Sequence, residues 1–166
     1  MAQTSYSRIF TNAFAGQLGD AGPSRVGSYV NDQGADIPAG CMVSHKAEGT
    51  ADLPAGGSEI LAGVVLNSFA RNPDDLTGTA AITAGDSMNV LEEGAVWVSC
   101  EEAMAVGDAV YVRHTAGAGG SVLGLIRNDA DTASCRQVKG ARVLVPSTAA
   151  GICMIYFSAA ADRATL

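Results

Sequence analysis

The sequence predicts an all-β protein. The first observation behind this prediction is a short sequence motif that recurs along the chain. An apolar residue, a two-residue bridge and then Gly or Gly-Asp precede a short apolar run, with copies at 37–43, 82–90 and 104–112. Gly adopts positive φ without a Cβ clash and Asp bonds back to its own backbone, so the motif is typical of a turn that starts a strand. The unequal spacing of the copies favours one β domain over a solenoid or propeller.

The second observation is an alternation of period two between residues 88 and 114. Residues 95–100 and 110–113 alternate so that one set of side chains faces inward and the other outward. Trp97 and Tyr111 are candidates for the outward or interface-facing set. With turn signals at regular intervals, the pattern predicts a compact β-sandwich or a small, jelly-roll-like β-barrel.

The elements follow in order from an amino-terminal arm, predicted over residues 1–24, to a single β-domain over 25–166. The predicted strands are 25–30, 41–46, 60–68, 88–91, 95–100, 110–113, 121–127, 140–145 and 151–157. Glu92-Glu93-Gly94 predicts a tight turn between two strands, and Gly63 predicts a bulge or a close backbone approach. Residues 71–81 are rich in turn formers and predict an exposed loop.

Length and composition indicate one domain with a surface poor in charge. A domain of 166 residues buries roughly 70% of the surface that its unfolded chain exposes, so it needs no metal or disulfide to fold. Charged residues make up 16% of the chain, below the usual value of about 25%, and Lys46 and Lys139 are its only lysines. Soluble monomers normally carry interspersed charges. The composition therefore favours a protein whose surface faces other subunits.

The charge balance argues against nucleic acid and membrane partners. The formal net charge is −7 and the pI about 4.6, whereas binding to phosphate backbones needs clustered Lys and Arg. The eight arginines are dispersed singly. Windows of about 18 apolar residues are absent from the sequence, which predicts no membrane span, and residues 1–10 lack the pattern of a secretory signal.

Neither the cysteines nor the acidic residues predict a metal or cofactor site. The four cysteines, at positions 41, 100, 135 and 153, lack the C-x-x-C spacing of a zinc or redox centre and are interpreted as reduced. Cys100 and Cys153 stand in apolar runs, where a thiol behaves as a small hydrophobe. The aspartates at 74–75, 129 and 131 lack the ligand ladder of a calcium loop. We therefore expect no cofactor.

Catalytic signatures are equally weak, so the chain is not expected to be an enzyme. The glycines between 117 and 124 precede a strand rather than a helix and predict a hairpin tip, not a dinucleotide loop. His45 and His114 lack a marked triad and are interpreted as solvated strand-end residues. The pairs at 92–93 and 101–102 are interpreted as solvated turn charges. Two alternatives stay open: a carbohydrate-binding β-domain that uses Trp97, and a small hydrolase that groups a histidine with carboxylates.

The central segment resembles the structural cement, or head decoration, proteins of tailed bacteriophages. The resemblance rests on Val90-Leu91-Glu92-Glu93-Gly94-Ala95-Val96-Trp97-Val98 and on the following segment 101–113, and it continues over segments 13–18, 26–31, 37–40, 60–65, 125–131 and 140–143. It implies an all-β protein on the outside of an icosahedral head that bridges neighbouring major capsid subunits as a dimer or trimer. It also implies a virion protein that is made in the bacterial host cytoplasm and has no catalytic residues.

Two segments are the candidates for contact with the capsid or with other subunits. The first is the aromatic part of the arm, with Tyr6, Phe10 and Phe14, although these side chains would alternatively cap the domain's own core. The second is the loop around residues 71–76. Its candidate contact residues are Arg71, Asp74 and Leu76.

Overall fold

The computed structural model describes residues 13–19, 22–67, 80–116 and 122–163. Within these ranges the chain forms twelve strands and one short helix. The strands are Arg25–Asn31 (β1), Ile37–Pro38 (β2), Met42–Ala47 (β3), Thr50–Asp52 (β4), Leu61–Val65 (β5), Ala81–Ile82 (β6), Ser87–Cys100 (β7), Tyr111–Arg113 (β8), Ile126–Arg127 (β9), Cys135–Gln137 (β10), Ala141–Val145 (β11) and Gly151–Ser158 (β12), and the helix is Ala159–Arg163 (α1). The predicted all-β class is confirmed.

Five of the strands close a barrel, which is one of the two architectures that the sequence predicts. Neighbours pair in the order β1, β4, β3, β5 and β7, and β7 pairs again with β1. All pairs in this ring are antiparallel except β1–β4. The barrel interior is filled by small and medium apolar side chains, namely Ile37, Cys41, Val43, Ala51, Leu53, Ala62, Val65, Ile82, Met88 and Val90. Because the ring closes, each of these five strands has a partner strand on both sides.

A second core lies between the outer face of the barrel and the remaining strands. On one side, Met42, Leu61 and Val64 point away from the barrel interior. On the other side, β12 contributes Ile155 and Phe157, both fully buried. Strand β5 is buried along its whole length because Leu61 and Val64 enter the second core while Ala62 and Val65 enter the barrel core.

Strand β7 runs through both halves of the molecule and overturns one prediction. Glu92-Glu93-Gly94 does not form a tight turn, since β7 is continuous from Ser87 to Cys100. Instead Arg25 pairs with Glu93 while Val26 pairs with Leu91, so Glu92 is an extra residue in a β-bulge. Gly94 has φ 137°, which lets the strand absorb this residue without a turn.

The bulge also changes the face that β7 presents. Met88 and Val90 enter the barrel core, whereas Val96 and Val98 enter the second core although all four have even numbers. One extra residue shifts the period-two alternation by one position. The amino-terminal half of β7 therefore closes the barrel with β1, and its carboxyl-terminal half supports β12.

The predicted close approach at Gly63 is confirmed. A Cβ built on Gly63 would collide with the carbonyl oxygen of Leu91 on the neighbouring strand, and Gly63 has φ +155°. The pairing of β5 with β3 also shifts register beside this residue, between Val43 and Ser44. Glycine at this position lets β5 approach β7 closely enough to close the barrel.

All four cysteines are free and buried. Cys41 lies in the barrel core, and burial raises the pKa of its thiol to about 12. We predict that 5,5′-dithiobis(2-nitrobenzoate) at pH 8 modifies the native protein roughly a hundredfold or more slowly than the urea-unfolded chain, because attack requires opening of the fold. Absorbance at 412 nm, read for about an hour in each state, measures this. Rapid reaction of one thiol under native conditions would contradict the burial of that residue.

Candidate interaction surface

The last part of the arm lies against β7. The backbone N–H of Gly16 donates to the carbonyl of Trp97 at 2.7 Å, and the N–H of Trp97 donates to the carbonyl of Gln17 at 2.9 Å. The N–H of Gly19 donates to the carbonyl of Ala95 at 2.7 Å. Residues 14–19, called the arm root below, are thus held beside β7 on the side opposite β12.

Both predicted contact segments leave the domain from one corner. The N–H of Asn67, the last described residue before segment 68–79, donates to the carbonyl of Gly16 at 3.0 Å. The N–H of Ala39 donates at 2.8 Å to the carbonyl of Ala80, the first described residue after that segment. A Cβ added to Gly16 would lie 2.6 Å from the nitrogen of Asn67 and 3.1 Å from the Cβ of Ala39. This corner, formed by residues 14–16, 39–40, 67 and 80, is called the junction below.

Phe14 is the one predicted contact residue that lies in the described part of the chain. It is half-buried, and its N–H donates to Oε1 of Gln17 at 3.1 Å. The N–H of Gln17 donates back to the carbonyl of Phe14 at 3.0 Å, which fixes the turn that begins the arm root. The remaining candidates, Tyr6, Phe10, Arg71, Asp74 and Leu76, lie outside the described residues.

The outer face of β7 and β12 carries large, half-buried side chains. Trp97 pairs across the sheet with Met154, and both are partly exposed, as is Tyr111 on β8. Tyr156 lies further along β12, and its hydroxyl donates to Oε1 of Glu93 at 3.0 Å. This bond raises the pKa of the Tyr156 hydroxyl. The outward placement predicted for Trp97 is consistent with this geometry.

Two depressions flank Tyr156. One, of about 330 Å³, is lined by residues 23–25 together with Glu93 and Tyr156. The other, of about 470 Å³, is lined by Lys139, Gly140, Ala141, Arg142, Tyr156, Ser158 and Ala161. The guanidinium carbon of Arg142 lies 5.0 Å from the centre of the Tyr156 ring, in the geometry of a cation–π contact. This site was not predictable from the sequence, since only the pairing of β11 with β12 brings Arg142 opposite Tyr156.

A cluster of charged side chains at the ends of β7, β8 and β9 corrects the interpretation of residues 101–102. Glu101 is not a solvated turn charge, because its side chain is 9% exposed and bonds Arg113 through Nε at 2.5 Å and Nη2 at 2.6 Å. Arg113 is itself 1% exposed and also contacts Asp131. The bond from Glu101 raises the pKa of the Arg113 guanidinium. The pairing therefore gives the buried Arg113 guanidinium charge-assisted hydrogen bonds in place of water.

Arg127 extends this cluster towards solvent. Its Nη1 lies 3.1 Å from Oε2 of Glu101, and its Nη2 lies 3.2 Å from Oε2 of Glu102. Its Nε donates to Asp129 at 3.0 Å, which lowers the pKa of that carboxyl. The turn that follows holds Asp131, Thr132 and Ala133 at positive φ, a conformation uncommon outside glycine. The cluster ties this turn to the end of β7.

The described residues contain no group of three or more His, Cys, Asp or Glu side chains suited to a metal ion. His45 is half-buried, with its ring 5.4 Å from that of Tyr29. Nδ1 of His114 lies 3.0 Å from the hydroxyl oxygen of Thr115. Neither histidine lines the two depressions at Tyr156. The single helix in the described ranges, α1, is too short to cross a membrane.

One comparison with known proteins identifies a family. Residues 2–158 match the family described as the structural cement protein (E217 gp24/Pam3 gp6). Among solved structures, a chain in the capsid of Myoviridae phage XM1 has a similar fold, with a TM-score of 0.66, 18% identity and coverage of 94% of this chain and 98% of that one. The comparison with curated proteins gives no match. The family match spans nearly the whole sequence, and the chain therefore belongs to the phage structural cement protein family.

Proposed function

We propose that this protein binds the outer surface of an icosahedral phage head and bridges neighbouring major capsid subunits, so that the shell resists disruption. The match of residues 2–158 to the structural cement family carries this proposal. The fold shared with a chain of the XM1 capsid supports it at the level of architecture. The protein is thus a structural component of the virion that acts on the capsid.

Such a protein acts through binding free energy alone. Standard protein interfaces bury about 1,600 Å² in total, and the symmetry of a head repeats each contact many times. Modest contacts per copy are then enough to raise the work of separating capsid subunits. This mechanism requires no catalytic group and no cofactor.

The junction supports a specific arrangement of the contacts. Gly16, in the first described stretch of the arm, is hydrogen-bonded to Asn67, which precedes residues 68–79, and Ala39 is hydrogen-bonded to Ala80, which follows them. Because the junction itself is tightly packed and cross-bonded, it provides a rigid base for both segments. We propose that both segments reach capsid or neighbouring subunits from this corner, through Tyr6, Phe10 and Phe14 in one case and 71–76 in the other.

Self-association is a further part of the proposal. The low fraction of charged residues and the half-exposed Trp97 and Met154 on the outer sheet are typical of a surface that meets another subunit. We propose a small symmetric oligomer, either a dimer or a trimer. Sedimentation-velocity ultracentrifugation distinguishes these states from a monomer.

The direct test mixes the purified protein with phage heads assembled without it, followed by sedimentation and a count of bound copies. Binding should saturate at a multiple of sixty copies per head, because an icosahedron offers that many equivalent positions. Heads carrying the protein should also survive heating that opens bare heads. Saturable binding without any gain in head stability would contradict a cement role, and no binding at micromolar protein would contradict the proposed partner.

Removal of the two arm phenylalanines is expected to weaken head binding. We predict that replacement of both Phe10 and Phe14 by Ala lowers affinity for heads roughly tenfold or more, as is usual for aromatic contacts central to an interface. The midpoint of thermal unfolding should change by less than about 4 °C. Phe157→Ala is the matched control, since Phe157 is fully buried and its loss should lower that midpoint strongly. A comparable fall in the arm variant would show that the arm residues belong to the core.

A further inference from the structure

We propose that the depression beside Arg142 binds an extended acidic segment on the outer surface of the major capsid protein. The inference rests on the proposed function and deepens it by assigning a docking site and the chemistry of its occupant. The site lies apart from the junction, on the strands β11 and β12 and on α1.

Charge is the first argument. The chain carries a formal net charge of −7, yet this depression of about 470 Å³ is lined by Lys139 and Arg142 and by no carboxylate. Asp162, which accepts the N–H of Lys139 at 3.1 Å, is 2% exposed at its side chain and is also bonded by Arg136 at 2.7 Å. Glu93 accepts the hydroxyl of Tyr156 and lines the other depression. A positive wall on an acidic protein favours an acidic ligand.

The geometry of Arg142 is the second argument. It is exposed, and among the described residues no carboxylate lies within ion-pair distance of it. Its guanidinium is held over the Tyr156 ring, whose hydroxyl is fixed by Glu93. The ring offers no acceptor to the guanidinium N–H groups, so the contact leaves them available in the fork that matches a carboxylate. Tyr156 therefore positions the guanidinium of Arg142, and within the described ranges no internal ion pair competes with a ligand for it.

The position of β11 is the third argument and indicates an extended ligand. In the described part of the chain, β11 pairs with β12 alone, so it forms an edge of its sheet. Edge strands accept extended peptides through main-chain hydrogen bonds, and the side chains beside the edge set specificity. Arg142 is the second residue of β11, beside the open edge, where it would meet acidic side chains of such a peptide.

The first experiment titrates full-length, ¹⁵N-labelled protein with hexaglutamate, and with an uncharged Ser-Gly hexapeptide as the control. Amide resonances of residues 140–145 should shift saturably with hexaglutamate alone, and Arg142→Gln should abolish the effect. The shift should weaken between 50 and 200 mM NaCl, as expected for exposed charges. Equal shifts with both peptides, or shifts that Arg142→Gln leaves unchanged, would overturn the inference.

The second experiment measures binding to heads that lack the protein. Arg142→Gln should lower the affinity roughly tenfold or more, since bonds between charged groups contribute on that scale. Arg142→Lys should recover only part of it, because Lys lacks the planar fork. Arg25→Gln is the matched control, since Arg25 lines the other depression and is already paired with Glu92 at 2.7 Å. Its affinity should stay within about twofold of the native protein.

The outcomes separate the inference from the proposed function. If native protein and Arg142→Gln bind heads equally, the docking site is wrong and the cement function stands. If native protein does not bind heads, the proposed function is wrong, and the docking of a capsid segment falls with it, whatever the hexaglutamate titration gives. Each variant's midpoint of thermal unfolding should stay within about 4 °C of the native value, because Arg142 is exposed.

Discussion

Arg113→Ala is expected to lower the free energy of unfolding by about 3 kcal/mol. Arg113 and Glu101 are 1% and 9% exposed, and they share two hydrogen bonds. Removal of the guanidinium leaves the Glu101 carboxylate buried, with Arg127 at 3.1 Å as its remaining cationic partner. A buried charge that loses its main partner costs far more than an exposed ion pair contributes.

Urea unfolding followed by circular dichroism measures this change. Arg142→Ala is the control for loss of an arginine at an exposed position and should cost less than about 1 kcal/mol. The combined change Arg113→Met with Glu101→Leu should recover much of the lost stability, because it removes both charges and retains apolar volume. A loss below about 1 kcal/mol in Arg113→Ala would show that water readily replaces the guanidinium, contrary to the burial of this pair.

Gly63→Ala is expected to destabilise the protein by about 3 kcal/mol or more, or to prevent folding. Its Cβ would collide with the carbonyl oxygen of Leu91, a backbone atom in the neighbouring strand. The collision falls where β5 pairs with β7, so relief requires separation of two strands of the barrel. Side-chain rearrangement cannot provide that relief.

Gly151→Ala provides a closely matched control. Gly151 has φ +154°, against +155° at Gly63, but a Cβ built on it meets no atom within 4 Å. The control therefore measures the cost of the backbone conformation alone, on the order of 1–3 kcal/mol. The excess loss in Gly63→Ala, measured by urea unfolding, isolates the collision. Equal losses in the two variants would show that β5 and β7 can separate at little cost.

Local chemistry predicted much of the fold. The strands that became β1, β3, β5, β11 and β12 lie within a few residues of their predicted bounds. Strands β3, β5 and β11 each follow a turn that contains glycine, at Gly40, Gly57 and Gly140. The close approach at Gly63 was also predictable, since glycine within an apolar strand has few other uses. Closure of the barrel was not predictable, because β1 and β7 pair across more than fifty residues of sequence and no local pattern encodes that choice.

The errors arise where one local sequence fits two structures. Glu92-Glu93-Gly94 suits a tight turn and a β-bulge equally well, and the partner strands β1 and β12 decide between them. Glu101 looked like a turn charge because its partner Arg113 comes from another strand. The Arg142–Tyr156 contact has the same origin, since the register of β11 against β12 creates it. Side-chain pairs between distant segments are a property of the assembled sheet.

The continuity of β7 determines how the molecule carries a mechanical load. At about 3.3 Å per residue, its 14 residues span about 45 Å, from the barrel into the outer sheet. Tension between the barrel and the outer sheet is therefore carried by the covalent backbone of β7, which belongs to both. To separate the halves, a pulling force must shear β7 from β1 or from β12 along several residues at once. We propose that 25–166 is for this reason one mechanical unit, which yields only when the pull exceeds the strength of a whole strand interface.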